Sequence, residues 1–222
     1  MINIAIDGPA GAGKSSLSRK LAANLGYIYV DTGALYRATG LKFSRLGFDT
    51  SLNGDIDAVL KTTVVDLKFV NGEQRVFLDG EDVSDFIRTP EASMMASAVS
   101  AIPSVRAFLL DMQRLLAKNN NVVMDGRDIG TVVLPDADVK IFLTADVEER
   151  AKRRLLELEE KGQKVSFDEV LADMKQRDYN DSHREIAPLR QAEDAVLADT
   201  TKLNLAESLE LLEKIVREGT NK

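Results

Sequence analysis

The stretch that most constrains this 222-residue chain is Gly8-Pro9-Ala10-Gly11-Ala12-Gly13-Lys14-Ser15, which fits the spacing G-x-x-x-x-G-K-[ST] throughout. Before it, Ile2 to Asp7 alternates apolar and polar residues and reads as a strand. After it, Leu17, Leu21 and Leu25 recur four apart, one stripe of a helix from Lys14 to Leu25, with Gly26 as the stop. The order strand, glycine-rich turn, helix has a chemical purpose. Glycines let the backbone curl until successive N–H groups point inward at an anion. The helix start adds unpaired N–H groups and the positive end of its dipole. The Lys14 ammonium is expected to reach the outer phosphates of a bound nucleotide, and the Ser15 hydroxyl to ligate Mg²⁺.

The rhythm continues beyond the loop. Tyr27 to Asp31 predicts a second strand and Ala34 to Leu46 a second helix, and Val122–Asp125, Val139–Leu143 and Ala195–Asp199 are further short apolar runs. Strands alternating with helices predict an α/β fold, a parallel sheet of about five strands covered by helices on both faces. One segment departs from this. Val65, Leu67 and Phe69 alternate with polar residues, Asn71-Gly72 supplies a tight turn, Gln74 to Leu78 returns, and Asp79-Gly80 turns again into Glu81–Val83. That pattern predicts a small antiparallel meander beside the main sheet. Asp146 followed by Glu149 opens a helix carrying Arg150, Arg153 and Arg154; Lys161 to Val165 reads as a hinge or tip; Leu205 to Arg217 reads as a closing helix.

Composition narrows the partners. With 36 acidic against 29 basic residues the net charge is −7, a field that repels nucleic-acid polymers, so any anionic substrate must be held by locally placed arginines. The absence of cysteine removes disulfides, thiolate metal sites and cysteine nucleophiles, and fits a reducing compartment. No run approaches the ~20 apolar residues that cross a membrane, and Met1 to Asp7 lacks a basic stretch leading into an apolar one. The expectation is a cytoplasmic protein without membrane or nucleic-acid partner, and a monomer.

Phosphate-loop proteins include binding switches, which need D-x-x-G and [NT]-K-x-D elements. Neither occurs in this chain. A kinase for a small molecule fits better, and the acceptor side supports one. Asp31-Thr32-Gly33-Ala34-Leu35-Tyr36-Arg37 follows the second predicted strand, and Asp125-Gly126-Arg127-Asp128 ends a later one. In an open parallel sheet, ligands gather at the carboxyl ends of strands. Arg37, Arg127, Arg153, Arg154, Arg177 and Arg184 all lie in or near candidate site segments. A hydroxyl acceptor would call for a carboxylate base. A phosphate acceptor calls instead for guanidinium forks that neutralise two approaching anions. Any one of these arginines could equally be a surface ion partner; Arg177 and Asp181, four apart on one helix face, could simply pair. His183, the single histidine, is expected to be exposed and without a role.

Taken together, the motifs resemble those of the bacterial cytidylate kinases, nucleoside monophosphate kinases of the phosphate-loop fold. The resemblance runs through Ile6–Ser15, Asp31–Arg37, Gly80–Thr89, Asp125–Val133, Lys140–Ala145, Arg177–Arg184 and Ala187–Leu189. It implies phosphorylation of CMP, and of dCMP, by ATP with Mg²⁺. Gly8, Pro9, Ala10, Gly11, Ala12 and Gly13, with Lys14, Ser15 and Ser16, would hold ATP, joined by the lid arginines Arg150, Arg153 and Arg154. Arg37, Arg127 and Arg184 would clamp the CMP phosphate, with Thr32 and Tyr36 lining that pocket. Ser97, Arg106 and Asp128 would read cytosine, although Ser97 by itself reads as a small residue on a buried helix face. Arg177 and Asp181 would contact the sugar. Lys14, Arg127, Arg153 and Arg184 would act on the transferring group. In domain terms it implies one kinase domain: a core of residues 1–60, 120–150 and 185–222, an acceptor-binding insert over about 62–105 and a helical lid over about 150–184. A kinase for a metabolite hydroxyl, or a non-catalytic nucleotide-binding switch, would be the alternatives.

Overall fold

The computed structural model describes residues 1–70, 73–160 and 162–220. In chain order the first elements are β1 (Asn3–Asp7), α1 (Lys14–Leu25), β2 (Ile28–Asp31), α2 (Thr32–Arg45), α3 (Ile56–Lys61), β3 (Val65–Val70), β4 (Glu73–Leu78) and β5 (Glu81–Asp82). There follow α4 (Pro90–Ser100), α5 (Pro103–Asn119), β6 (Val122–Gly126), a π turn (Ile129–Val133) and β7 (Val139–Thr144). The last are α6 (Val147–Glu160), α7 (Phe167–His183), β8 (Val196–Asp199) and α8 (Leu205–Thr220). They group into two compact units: Met1–Tyr29 with Asn120–Lys222, and Val30–Asn119.

A five-stranded sheet runs in the order β2-β6-β1-β7-β8, and the first unit holds all of it but the second half of β2. β1 pairs in parallel with β6 and β7, and β7 in parallel with β8. Strands buried on both faces need continuous apolar runs, and Val122, Val123 and Met124 are wholly buried. Ile4, Ile6, Val123, Ile141 and Leu143 form one core with Leu17 and Leu21 of α1 and Leu212, Ile215 and Val216 of α8. Truncating a side chain such as Leu21 to alanine would cost roughly 2–5 kcal/mol. α1 ends at Gly26, whose left-handed backbone (φ 67°) lets its N–H close on the Ala22 and Ala23 carbonyls. The register sets Asp7 beside Gly126 of β6 and Phe142 of β7, so the strand ends that carry Asp7 and Asp125 open on one edge.

α6 and α7 keep a small core of their own from Ala151, Leu158, Val170 and Met174. A capping box starts α7: Ser166 Oγ accepts the Glu169 N–H, and the Glu169 carboxylate accepts the Ser166 N–H. Residues 162–165 of the expected tip have no regular structure; Lys161 lies outside the described residues.

The second unit holds the antiparallel sheet β3-β4-β5. Val65 pairs with Leu78 and Val70 with Glu73, so the meander forms as expected, although its first turn, Asn71-Gly72, lies outside the described residues. The second turn is described: Asp79 (φ 51°) and Gly80 (φ 87°) both take the positive angles that match the twist of a hairpin. The unit extends well beyond the meander because α2 seats against α4 at Gly40. A Cβ there would fall 2.9 Å from Met95 Cβ and 3.2 Å from the Ala96 nitrogen. Among the described residues no single helix is long and apolar enough to cross a membrane.

Candidate active site

In the first unit the phosphate loop runs from the end of β1 into α1. Its curl depends on positive φ at Gly11 (70°) and Gly13 (85°), angles that a side chain disfavours. Gly8 is required for a second reason: a Cβ there would lie 1.9 Å from the Leu143 carbonyl oxygen. α2, α3, α4 and α7 are capped by Asp31, Asp55, Thr89 and Ser166, whereas α1 begins at Gly13 with no side-chain cap and no acidic residue in its first turn. The first N–H groups of α1 therefore meet no carboxylate of their own turn. Lys14 is buried, its Nζ donating to the Pro9 carbonyl at 2.7 Å. Burial pushes its ammonium well below the ordinary 10.5, and the Arg127 guanidinium adds to the effect.

Two carboxylates at the strand ends make contacts that the motifs alone did not reveal. Asp7 accepts the N–H groups of Ile129 and Gly130, both at 2.7 Å, and so holds the π turn that follows Arg127 and Asp128. Burial pushes its carboxyl up to about 6, against the pull of those two N–H groups. Asp125 accepts the Ser15 hydroxyl at 3.0 Å. A hydroxyl and a carboxylate side by side are hard oxygen ligands of the kind Mg²⁺ takes. The available signal was a carboxylate closing the buried run Val122–Met124.

Beyond them lies a cluster of alternating charge. Arg127 Nε donates to Asp181 at 2.7 Å, and Arg184 donates to Asp128 at 3.3 Å and to the Ala187 carbonyl at 2.7 Å. Burial raises the Asp181 carboxyl, but Arg127, with Arg177 and Arg184 beyond it, draws it below its ordinary value. In turn burial lowers Arg127 and Asp181 more than restores it. Asp181 thus accepts a hydrogen bond from Arg127, 54 residues away, and Arg177, one turn before it on α7, adds its charge.

The three arginines of α6 separate. Arg150 is buried and bonded to Ala145, Ala10 and Asp178; Arg153 donates to the Thr200 carbonyl at 2.9 Å; Arg154 pairs on the surface with Glu157. His183 is exposed and stacks on Tyr179.

The second unit carries the remaining expected residues. Asp31 caps α2 through the Ala34 N–H and accepts Arg37 at 2.9 Å. Gly33 leaves room for this: a Cβ there would press on the Arg37 guanidinium at 3.1 Å. Thr32 is buried, Tyr36 half-buried, and the Arg106 guanidinium lies 5.8 Å from the Tyr36 ring. Arg106 also donates to the Ser100 carbonyl, and Ser97 is half-buried on α4.

A model of the family described as cytidylate kinase matches residues 4–218. The cytidylate kinase of Caldicellulosiruptor bescii is 56% identical over 220 residues, 97% of each chain. That of Geobacter sulfurreducens is 52% identical over 219 residues, 97% of this chain and 92% of its own. Among solved structures, an uncharacterised protein from Eubacterium ventriosum aligns over 98% of this chain and 99% of its own, with a TM-score of 0.55 and 15% identity. That likeness concerns the fold alone. With its phosphate loop intact and the family match running nearly end to end, the chain belongs to the cytidylate kinase family.

Proposed function

We infer that the protein catalyses ATP + CMP ⇌ ADP + CDP and accepts dCMP as well. The observation that carries this is the family match over residues 4–218, joined to a phosphate loop whose lysine lies in the field of a guanidinium cluster. Such a site works by positioning two anions and neutralising the charge that builds between them. Lys14 and the loop from Gly8 to Ser16, through its backbone N–H groups beyond Ala10, hold the ATP phosphates. Arg127 and Arg184, with Arg37, hold the acceptor phosphate, whose anionic oxygen needs no strong base. Arg153 and Arg154 close on the donor from α6. Ser15 and Asp125 would hold Mg²⁺, which supplies further neutralisation of the donor phosphates.

Asp128, with Ser97 and Arg106, selects the base. Cytosine offers an amino donor where uracil offers a carbonyl, so a carboxylate attracts the first and repels the second. Arg177 and Asp181 face the sugar, while Thr32 and Tyr36 line the acceptor pocket. The working unit is a cytoplasmic monomer, and the cysteine-free composition supports the compartment.

ADP release measured with CMP, dCMP, UMP, AMP and GMP in turn tests the reading. Release with CMP and dCMP well above the others is expected. Release with no monophosphate, but with a hydroxyl metabolite, would overturn it in favour of another kinase. Nucleotide binding without any release would leave a switch.

A further inference from the structure

The phosphate loop is braced from outside by α6 and α7. Arg150 is 5% exposed. Its Nε donates to the Ala145 carbonyl at 2.8 Å, and one terminal nitrogen donates both to the Ala10 carbonyl at 2.8 Å and to Asp178 Oδ2 at 2.7 Å. The other carboxylate oxygen, Asp178 Oδ1, accepts the Ala10 N–H at 3.3 Å. Both backbone polar groups of Ala10 are therefore engaged by side chains from the two helices. The next residue is equally confined: a Cβ on Gly11 would lie 2.5 Å from Met174 Cε and 3.5 Å from Arg150 Cβ. Met174 and Asp178 are four apart on α7 and so share the face turned to the loop.

A loop rich in glycine has little intrinsic preference for the one conformation that aims its N–H groups at a phosphate. Hydrogen-bond strength falls steeply with angle, so the aim must be set before the nucleotide arrives. Nothing inside the sequence Gly8–Gly13 can set it, because none of these residues carries a polar side chain. We propose that Asp178 is a positioning residue for phosphoryl transfer: it orients the Ala10 peptide, directly and through Arg150, and thereby aligns the following N–H groups with the donor phosphates. Asp178 itself need not touch substrate. Arg150 acts with it as a strut rather than as a group that swings over ATP. This rests on the kinase reading above only for its kinetic arm.

The test compares Asp178→Ala and Asp178→Asn with the wild type, at a temperature where all three are folded. ADP affinity is read by calorimetry with no acceptor present, and KM for ATP, KM for CMP and kcat by coupled assay. In Asp178→Ala, ADP binding is expected to weaken by about tenfold, the scale of one charge-assisted hydrogen bond. KM for ATP should rise by more than KM for CMP, and kcat should fall. Asp178→Asn keeps an oxygen for the Ala10 N–H and should recover part of the loss. Unchanged ADP affinity and KM for ATP in Asp178→Ala, with only a lower Tm, would reduce the brace to a structural contact and overturn the proposal. An asparagine variant no better than alanine would also overturn the role given to the Ala10 bond. Because the calorimetric arm contains no acceptor, its outcome is independent of whether CMP is the substrate.

Discussion

Arg127 and Asp181 meet at 2.7 Å, from side chains 20% and 8% exposed, so the guanidinium proposed to receive the acceptor phosphate already has an anionic partner. The pair solves a problem common to anion sites. A cation that must bind a phosphate cannot be left unpaired in a buried place without a large desolvation cost. Asp181 offsets that cost while the site awaits its ligand. Asp181→Ala should therefore destabilise the fold by roughly 3 kcal/mol, as expected for breaking a buried pair from one side. Urea denaturation checks this, and a loss below about 0.5 kcal/mol, typical of an ordinary surface substitution, would mean that the pair carries little.

Asp7 gives the fold a pH dependence of definite sign. In the folded chain it keeps its proton to about pH 6, against an ordinary value of 3.8. Between those values the native state binds more protons than the unfolded one. The contribution to stability is thus greatest below the lower value and is lost as pH rises through the upper. Subtracting the unfolding free energy of Asp7→Asn from that of the wild type should leave a difference that declines from about pH 4 to about pH 6.5 and is flat above. A difference that climbs over this window would contradict burial as the dominant influence on Asp7.

Lys14→Ala should lose turnover by several orders of magnitude while the circular dichroism spectrum stays that of the wild type. The ammonium is buried against the loop's own Pro9 carbonyl and is the loop's only side-chain charge. Its removal deletes transition-state stabilisation without touching the hydrophobic contacts of Leu17 and Leu21. Near-normal activity would defeat the assignment.

Asp128→Asn should lower the preference for CMP over UMP, read as the ratio of kcat/KM, by about tenfold, since an amide can turn a donor toward uracil where a carboxylate cannot. The variant also loses charge against Arg184, so some fall in activity on both substrates is expected. A ratio equal to that of the wild type would remove Asp128 from base recognition.

How much of this was legible beforehand follows from the range of the forces involved. The loop at Gly8–Ser15, the helix Lys14–Leu25 and the short parallel strands were readable because glycine geometry, helical spacing and apolar runs act over a few residues. The meander was readable for the same reason, from its alternation and its turns. The family was legible too, since its motifs lie along the chain in order. Tertiary structure alone decided which polar or charged group meets which. Asp7 finds Gly130 across 123 residues, Ser15 finds Asp125 across 110, Arg150 reaches Ala10 across 140, and Asp181 finds Arg127 across 54. Sequence spacing leaves such pairings degenerate, because many acids could answer many bases. Only the sheet, by bringing distant strand ends to one edge and excluding water from them, makes an unpaired charge costly enough to single out each partner.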